Sequence, residues 1–253
     1  METAGSPIPA EVRRIQLSEM LRTEGMLKIE RVARDFEVHP MTIRRDMLAL
    51  EEEGLARRVR GGVVYVGLED FTQRQGHKIS AKRKIAEKLA PVLAQYGAVA
   101  LDASTTIYQL ARAIRDVDQL TVVTNGLAAF DTLKQRPGVR VYLTGGESEE
   151  QNISLVGPIA TASIASFVLD ACFISTASLD PLLGSSESTM AEVEVKRAMA
   201  RASRRVILAA DSSKLTSTAM ARALPLAQVD VLATELSPAD PRLDPFRDAV
   251  ELI

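Results

Sequence analysis

Apolar positions between residues 10 and 65 recur at helical spacing and then switch to short runs. Val12, Ile15, Leu17 and Leu21 predict a first amphipathic helix, stopped by Gly25. Ile29, Val32, Ala33 and Phe36 predict a second, shorter one. Pro40 suits the first turn of a third helix, where its missing N–H costs nothing. Ile43, Met47 and Leu50 share one face of that helix, and Gly54 ends it. The pieces LARRV and GGVVYV predict two strands around a tight turn at Arg60-Gly61-Gly62. Three helices and a basic hairpin make a winged helix-turn-helix over 9–65, with the helix-turn-helix itself at about 28–47.

Residues 66–78 are polar and weakly patterned, and read as a linker. From there the rhythm changes. The apolar runs AVALDA, LTVVTN, VRVYLTG, DACFIST, RVILAAD and VDVLATE alternate with helical stretches such as IYQLARAI and MAEVEVKRAMARA. Short continuous apolar strands between helices predict a mainly parallel α/β sheet over 79–253, buried on both faces.

Composition narrows this picture. The chain has 253 residues, 46% hydrophobic and 25% charged, as expected of a globular protein with a real core. No run reaches the length of a membrane span, and METAGSPIPA lacks the basic start and apolar stretch of a signal peptide. The single cysteine, Cys172, lies in the apolar run DACFI and reads as a core residue. A cytoplasmic protein is expected. The net charge of −2 excludes a general nucleic-acid coat but not a specific reader, because the position of the charge decides. Acids and bases balance over 1–62, yet Arg57, Arg58 and Arg60 follow one another with no acid between them.

At about 100° per residue, Arg45 falls about 200° from Ile43, opposite the apolar face of the third helix. Thr42 and Arg44 flank it, and Pro40 and Met41 open the helix. This is the end that enters the major groove in a helix-turn-helix, where an arginine can bridge O6 and N7 of guanine. Arg57, Arg58 and Arg60 would track phosphates or probe the minor groove, with Gly61 allowing the turn.

The strand ends of the second half carry a different chemistry. The loops hold Asp102, Ser104, Thr105 and Thr106, then Thr124, Asn125 and Gly126, then Gly145 and Gly146, and finally Asp211 and Lys214. Ligands of open parallel sheets sit at the carboxyl ends of the strands. Hydroxyls and helix N-terminal N–H groups suit a phosphate, Lys214 supplies countercharge, and Asp102 and Asn125 suit sugar hydroxyls. Glu192 and Lys196 are spaced for a surface pair, Glu194, on another face, is expected to reach the pocket, and Lys196 is counted with Glu194 among the effector-binding residues. His39 and His77 lack metal-ligand spacing, and no Walker or dinucleotide fingerprint is found, so no metal, cofactor or catalytic residue is expected.

The stretch VHPMTIRRDMLALEEEGLARRVRGGV resembles the DNA-binding segment of the DeoR family of bacterial regulators of sugar metabolism. His39 stands where that family has a capping serine, which predicts a cap weaker by about 1 kcal/mol. The second half is similar too, through Asp102-x-Ser104-Thr105-Thr106, Val123-Thr124-Asn125, Gly145-Gly146, Glu192-x-x-x-Lys196 and Asp211-x-Ser213-Lys214. Ser104 replaces a glycine of the family pattern, and a familiar glycine before Asp180 is missing. The resemblance implies an effector domain similar to ribose-5-phosphate isomerase and coenzyme A transferase folds. It implies a repressor of a sugar or sugar-alcohol operon, partnered by operator DNA, by a phosphorylated sugar that releases it, and by copies of itself as a homodimer or homotetramer. The alternative is a sugar-phosphate isomerase-like enzyme with an accessory DNA-binding domain.

Overall fold

A computed structural model describes residues 9–52, 55–65, 71–115 and 117–253. Gly54 and positions 66–70 of the expected linker lie outside the described residues. The chain divides into two compact units, 1–69 and 70–253.

The first unit holds helices α1 (Ala10–Glu24), α2 (Ile29–Asp35) and α3 (Pro40–Glu52). Strands β1 (Met26–Lys28), β2 (Ala56–Val59) and β3 (Gly62–Tyr65) form an antiparallel sheet in the order β1-β3-β2, so the expected hairpin gains a third strand. Gly25 ends α1 in the left-handed region, at φ 73°. Leu17, Leu21, Leu27, Val32, Ile43, Met47, Leu50 and Val63 make the core. One expectation for α1 is corrected. Val12 and Ile15 are 46% and 57% exposed, and the buried stripe runs Arg13, Leu17, Leu21 at four-residue spacing. Burial of an arginine there is tolerated because a carboxylate of α3 faces it, a partner that periodicity alone does not reveal.

The second unit begins with α4 (Phe71–Gly76), a helix where a linker was expected. Phe71 is buried and meets Tyr108 edge-on, with ring centroids 5.6 Å apart. That aromatic anchor is one side chain in a polar stretch, too little to give a periodic signal. Next come α5 (Ile79–Leu93), β4 (Ala98–Leu101), α6 (Thr105–Ala113), β5 (Leu120–Thr124), α7 (Leu127–Leu133) and β6 (Val139–Leu143). A hairpin of β7 (Glu147–Glu149) and β8 (Ser154–Val156) leads to α8 (Gly157–Ala165) and β9 (Leu169–Ser175). Strands β10 (Ser178–Asp180) and β11 (Gly184–Glu187) precede α9 (Met190–Ala202) and β12 (Ser203–Ala209). The chain closes with β13 (Ala221–Arg222), which pairs with β11, then β14 (Val231–Ala233) and β15 (Glu251–Leu252).

The central sheet is parallel throughout, in the order β15-β14-β12-β9-β4-β5-β6. The six expected strands run from β14 to the edge strand β6, and the two-residue strand β15 at the opposite edge is the one not foreseen. Alternate strand residues feed opposite layers. Val99 and Leu101 face α5, α6 and α7 through Leu89, Ile107, Leu110 and Leu133. Ala100, Cys172 and Ile174 face α8 and α9 through Ile164, Val195 and Met199. Full burial pushes the Cys172 thiol up to about 12, as suits an inert core residue. The strand order reverses between β4 and β9. The chain runs outward from β4 through β6 on one side and from β9 through β15 on the other, so the crevice of the sheet lies where those two strands end.

Candidate functional site

In the first unit, Ile43, Met47 and Leu50 bury one face of α3 and leave Met41, Arg44 and Arg45 exposed, with Thr42 half-buried and Pro40 in the first turn. Arg57, Arg58 and Arg60 are exposed on the wing. Arg58 is not free for other partners, because its Nε lies 2.6 Å from Glu51 Oε2 and its N–H donates to Glu51 Oε1 at 3.1 Å. The pair ties β2 to α3. Gly61 turns the wing at φ 85°. Gly62 serves a different need, since a Cβ there would lie 2.0 Å from the Leu27 carbonyl oxygen of β1.

His39 makes a capping contact at the start of α3. Its Nδ1 accepts the Met41 N–H at 3.2 Å, and its carbonyl accepts from Thr42 N–H at 2.8 Å. The imidazole thus accepts one of the free first-turn amides of α3, the kind of contact that a capping hydroxyl makes.

In the second unit the crevice between β4 and β9 is built around one lysine. Lys196 Nζ donates to the Ser175 carbonyl at 2.6 Å and lies 3.0 Å from Glu187 Oε1 and 3.2 Å from Asp102 Oδ2. Burial disfavours its charge, but Glu187, Asp102 and Glu192 more than offset that and raise its pKa above the ordinary lysine value. Asp102 is held on both oxygens. Oδ1 accepts the Ser104 N–H at 3.0 Å and Oδ2 the Ser175 N–H at 2.8 Å, so it joins the ends of β4 and β9. Lys214 Nζ donates to Ser175 Oγ at 3.2 Å, and burial lowers its pKa against the pull of Asp211.

Asp102, Ser104, Asn125, Glu192 and Lys196 line one narrow cleft, with Ala103 and Val195. Ser104 caps α6, its Oγ accepting the Ile107 N–H at 3.2 Å. Asn125 is buried and donates through Nδ2 to the Leu155 carbonyl at 3.1 Å, while its Oδ1 has no hydrogen-bond partner among the described residues. Thr106 Oγ1, also buried, has none either. Asn125 Oδ1, an unpaired buried oxygen in the cleft that also holds the Lys196 ammonium, is an arrangement that a hydroxyl-bearing ligand would complete.

The predicted residues Thr105, Thr106, Thr124, Gly126, Asp211 and Lys214 are not among the residues that line that cleft. Thr105 is buried in the first turn of α6. Thr124 Oγ1 accepts the Gly126 N–H at 3.1 Å, and a Cβ on Gly126 would come 2.9 Å from Ala103 Cα, so these two bring the β4 and β5 loops together. Asp211 accepts from Ser213 N–H at 3.1 Å and caps the turn that presents Lys214. Gly145 and Gly146 are not among the cleft-lining residues. A Cβ on Gly146 would lie 2.5 Å from the Val156 carbonyl, so its role is packing against β8.

Two expectations reverse. Glu194 is exposed and pairs with Arg197 at 3.1 Å, whereas Glu192 lines the cleft. The i, i+4 spacing of Glu192 and Lys196 puts them on one helix face, and that face is the buried one. Burial, opposed by Lys196, lifts the Glu192 carboxyl to about 7. The spacing was the signal that could have found Glu192. Glu187 and Ser175 had weaker ones: a carboxylate inside a small-residue strand, and a hydroxyl ending the DACFIS run. Asp180, outside the cleft, accepts from Leu182 N–H at 2.9 Å and Leu183 N–H at 2.8 Å and shapes the β10–β11 turn.

Comparison with known proteins agrees with this division of labour. Residues 13–67 match the DeoR-like helix-turn-helix domain, and residues 77–236 match the DeoR C terminal sensor domain. The transcriptional repressor AccR of Agrobacterium fabrum is 34% identical over 230 residues, covering 88% of each chain. The glycerol-3-phosphate regulon repressor of Escherichia coli is 30% identical, covering 87% of this chain and 88% of its own. A ribose 5 phosphate isomerase A from Neisseria gonorrhoeae overlaps 54% of the chain and 53% of its own, at 17% identity and a TM-score of 0.36, a level from which nothing about chemistry follows. The chain belongs to the DeoR family of DNA-binding transcriptional regulators.

Proposed function

We propose that the protein is a repressor of a sugar or sugar-alcohol catabolic operon and leaves its operator when a phosphorylated sugar fills the β4–β9 cleft. The reading rests above all on Asn125 Oδ1, a buried acceptor left unpaired in a cleft that also holds the Lys196 ammonium. A ligand hydroxyl satisfies Asn125. The first-turn amides of α6, with Thr106 and Lys214, suit a phosphate. Met41, Thr42, Arg44 and Arg45 would read bases from the first turns of α3, with Pro40 setting its entry. Arg57, Arg58 and Arg60 would follow phosphates, and Arg58 must first give up Glu51. One winged helix makes too small an interface for useful affinity, so a homodimer or homotetramer on paired half-sites completes the reading.

The test is DNA binding titrated with phosphorylated sugars, for wild type, Lys214→Ala and Asn125→Ala. Both variants should bind DNA like the wild type and release it only at ligand concentrations at least about tenfold higher, given a coupling of about 1–3 kcal/mol between the sites. Release of both at the wild-type concentration places the effector elsewhere. A second reading, sugar-phosphate isomerisation, is favoured by one observation: a cleft carboxyl near 7 is suited to shuttle a proton. Steady interconversion of a sugar phosphate by the purified protein, lost in Glu192→Gln, would establish it.

A further inference from the structure

Arg13 and Asp46 form a two-point ion pair between α1 and α3. Arg13 Nε lies 2.6 Å from Asp46 Oδ2, and Nη2 donates to Oδ1 at 3.2 Å. Both side chains are 7% exposed. Asp46 immediately follows Arg44 and Arg45 in sequence and lies at the margin of the stripe formed by Ile43, Met47 and Leu50.

Apolar packing alone holds such a helix loosely about its own axis, because it is proportional to area and has no direction. At a side-chain radius of about 6 Å, a turn of 20° moves a surface group by about 2 Å. A bidentate hydrogen-bonded contact to a base tolerates far less. The guanidinium fork fixes both distance and angle, which is what the apolar face lacks. Stability alone is a poor reason for the pair, since an apolar pair of similar volume usually serves as well or better.

We propose that Arg13 is a positioning residue for DNA recognition, its buried pair with Asp46 setting the rotation of α3 and so the direction in which Arg44 and Arg45 point. The inference rests on α3 being the helix that reads bases. Selectivity is therefore the property that depends on the pair, and general attraction to phosphates is not.

The experiment uses the full chain and a duplex that the wild type enriches from a randomised pool, with a scrambled duplex of the same composition. Three proteins are compared with the wild type: the double variant Arg13→Leu/Asp46→Leu, the variant Arg13→Lys, and Arg45→Ala. Arg13→Lys keeps the charge and loses the fork, so it answers the question even if the double variant folds poorly. Both pair variants should unfold cooperatively, with selectivity for the enriched duplex reduced at least about tenfold. Binding to the scrambled duplex and its salt dependence should match the wild type. Loss of selectivity in Arg45→Ala with none in the pair variants overturns the inference and leaves the reading of α3 standing. Unchanged selectivity in all three overturns both. Equal loss on the two duplexes, together with lost cooperativity in Arg13→Lys, makes the pair structural only and also overturns it.

Discussion

Three carboxylates, Glu187, Asp102 and Glu192, share the neighbourhood of one ammonium, and they cannot all be equally well served. Glu192 carries the deficit, with burial lifting it to about 7 from an ordinary value of 4.5. An unfolded chain restores the ordinary value. Between about pH 4.5 and 7 the folded protein therefore binds more protons than the unfolded one, and stability falls as pH rises through that window. Glu192→Gln removes the titration. Thermal unfolding from about pH 5 to about pH 8 should show the wild type losing on the order of 2 kcal/mol more than the variant. Parallel pH profiles would mean that Glu192 ionises as readily in the fold as outside it.

At the level of elements, the wing depends on a missing side chain. Gly62 lies between β1 and β2 in the sheet, facing Lys28 on one side and Val59 on the other. A methyl group there meets the Leu27 carbonyl of β1. Gly62→Ala should destabilise the first unit by about 1–3 kcal/mol and weaken DNA binding, while ligand binding to the second unit is unchanged. Calorimetry with separate DNA and ligand titrations checks this; an unaltered first unit would mean that β1 shifts freely. The same glycine illustrates what the sequence discloses. Gly61-Gly62 announced a turn between two strands, but β1 is three residues long, Met26 to Lys28, and gave no period of its own. The six long apolar runs announced the parallel sheet for the opposite reason, since burial on both faces leaves no polar alternation to interpret. The cleft was half-legible. Hydroxyl and amide residues at strand ends pointed to Asp102, Ser104 and Asn125. Which face of α9 is buried depends on tertiary packing, and this exchanged the roles of Glu192 and Glu194. Arg13 was hidden likewise, because a charge is buried only where a distant partner meets it.

On the scale of the whole chain, the two units own separate cores, one from Leu17 to Val63 and the other spread over both faces of the seven-stranded sheet. A fragment of residues 70–253 should fold and bind the effector without any affinity for DNA. If self-association resides in this unit, as the proposed assembly requires, the fragment should keep the mass class of the full protein in sedimentation. A monomeric fragment beside an oligomeric parent would assign assembly to the first unit.

The reversal of strand order between β4 and β9 has a consequence for how the protein is made. Asp102 emerges from the ribosome long before Ser175 and Lys196, the groups that hold it. Parallel pairing of strands so distant in sequence is slow, since a long loop must close before any contact rewards it. The winged helix has no such debt to later residues and can fold while the rest is being translated. Every newborn chain therefore passes through an interval in which a DNA reader exists and its sensor does not. If, as proposed, the second unit senses a sugar phosphate and operator binding needs paired copies, a chain in that interval cannot answer to sugar, and only the lack of a partner copy would hold it off the operator.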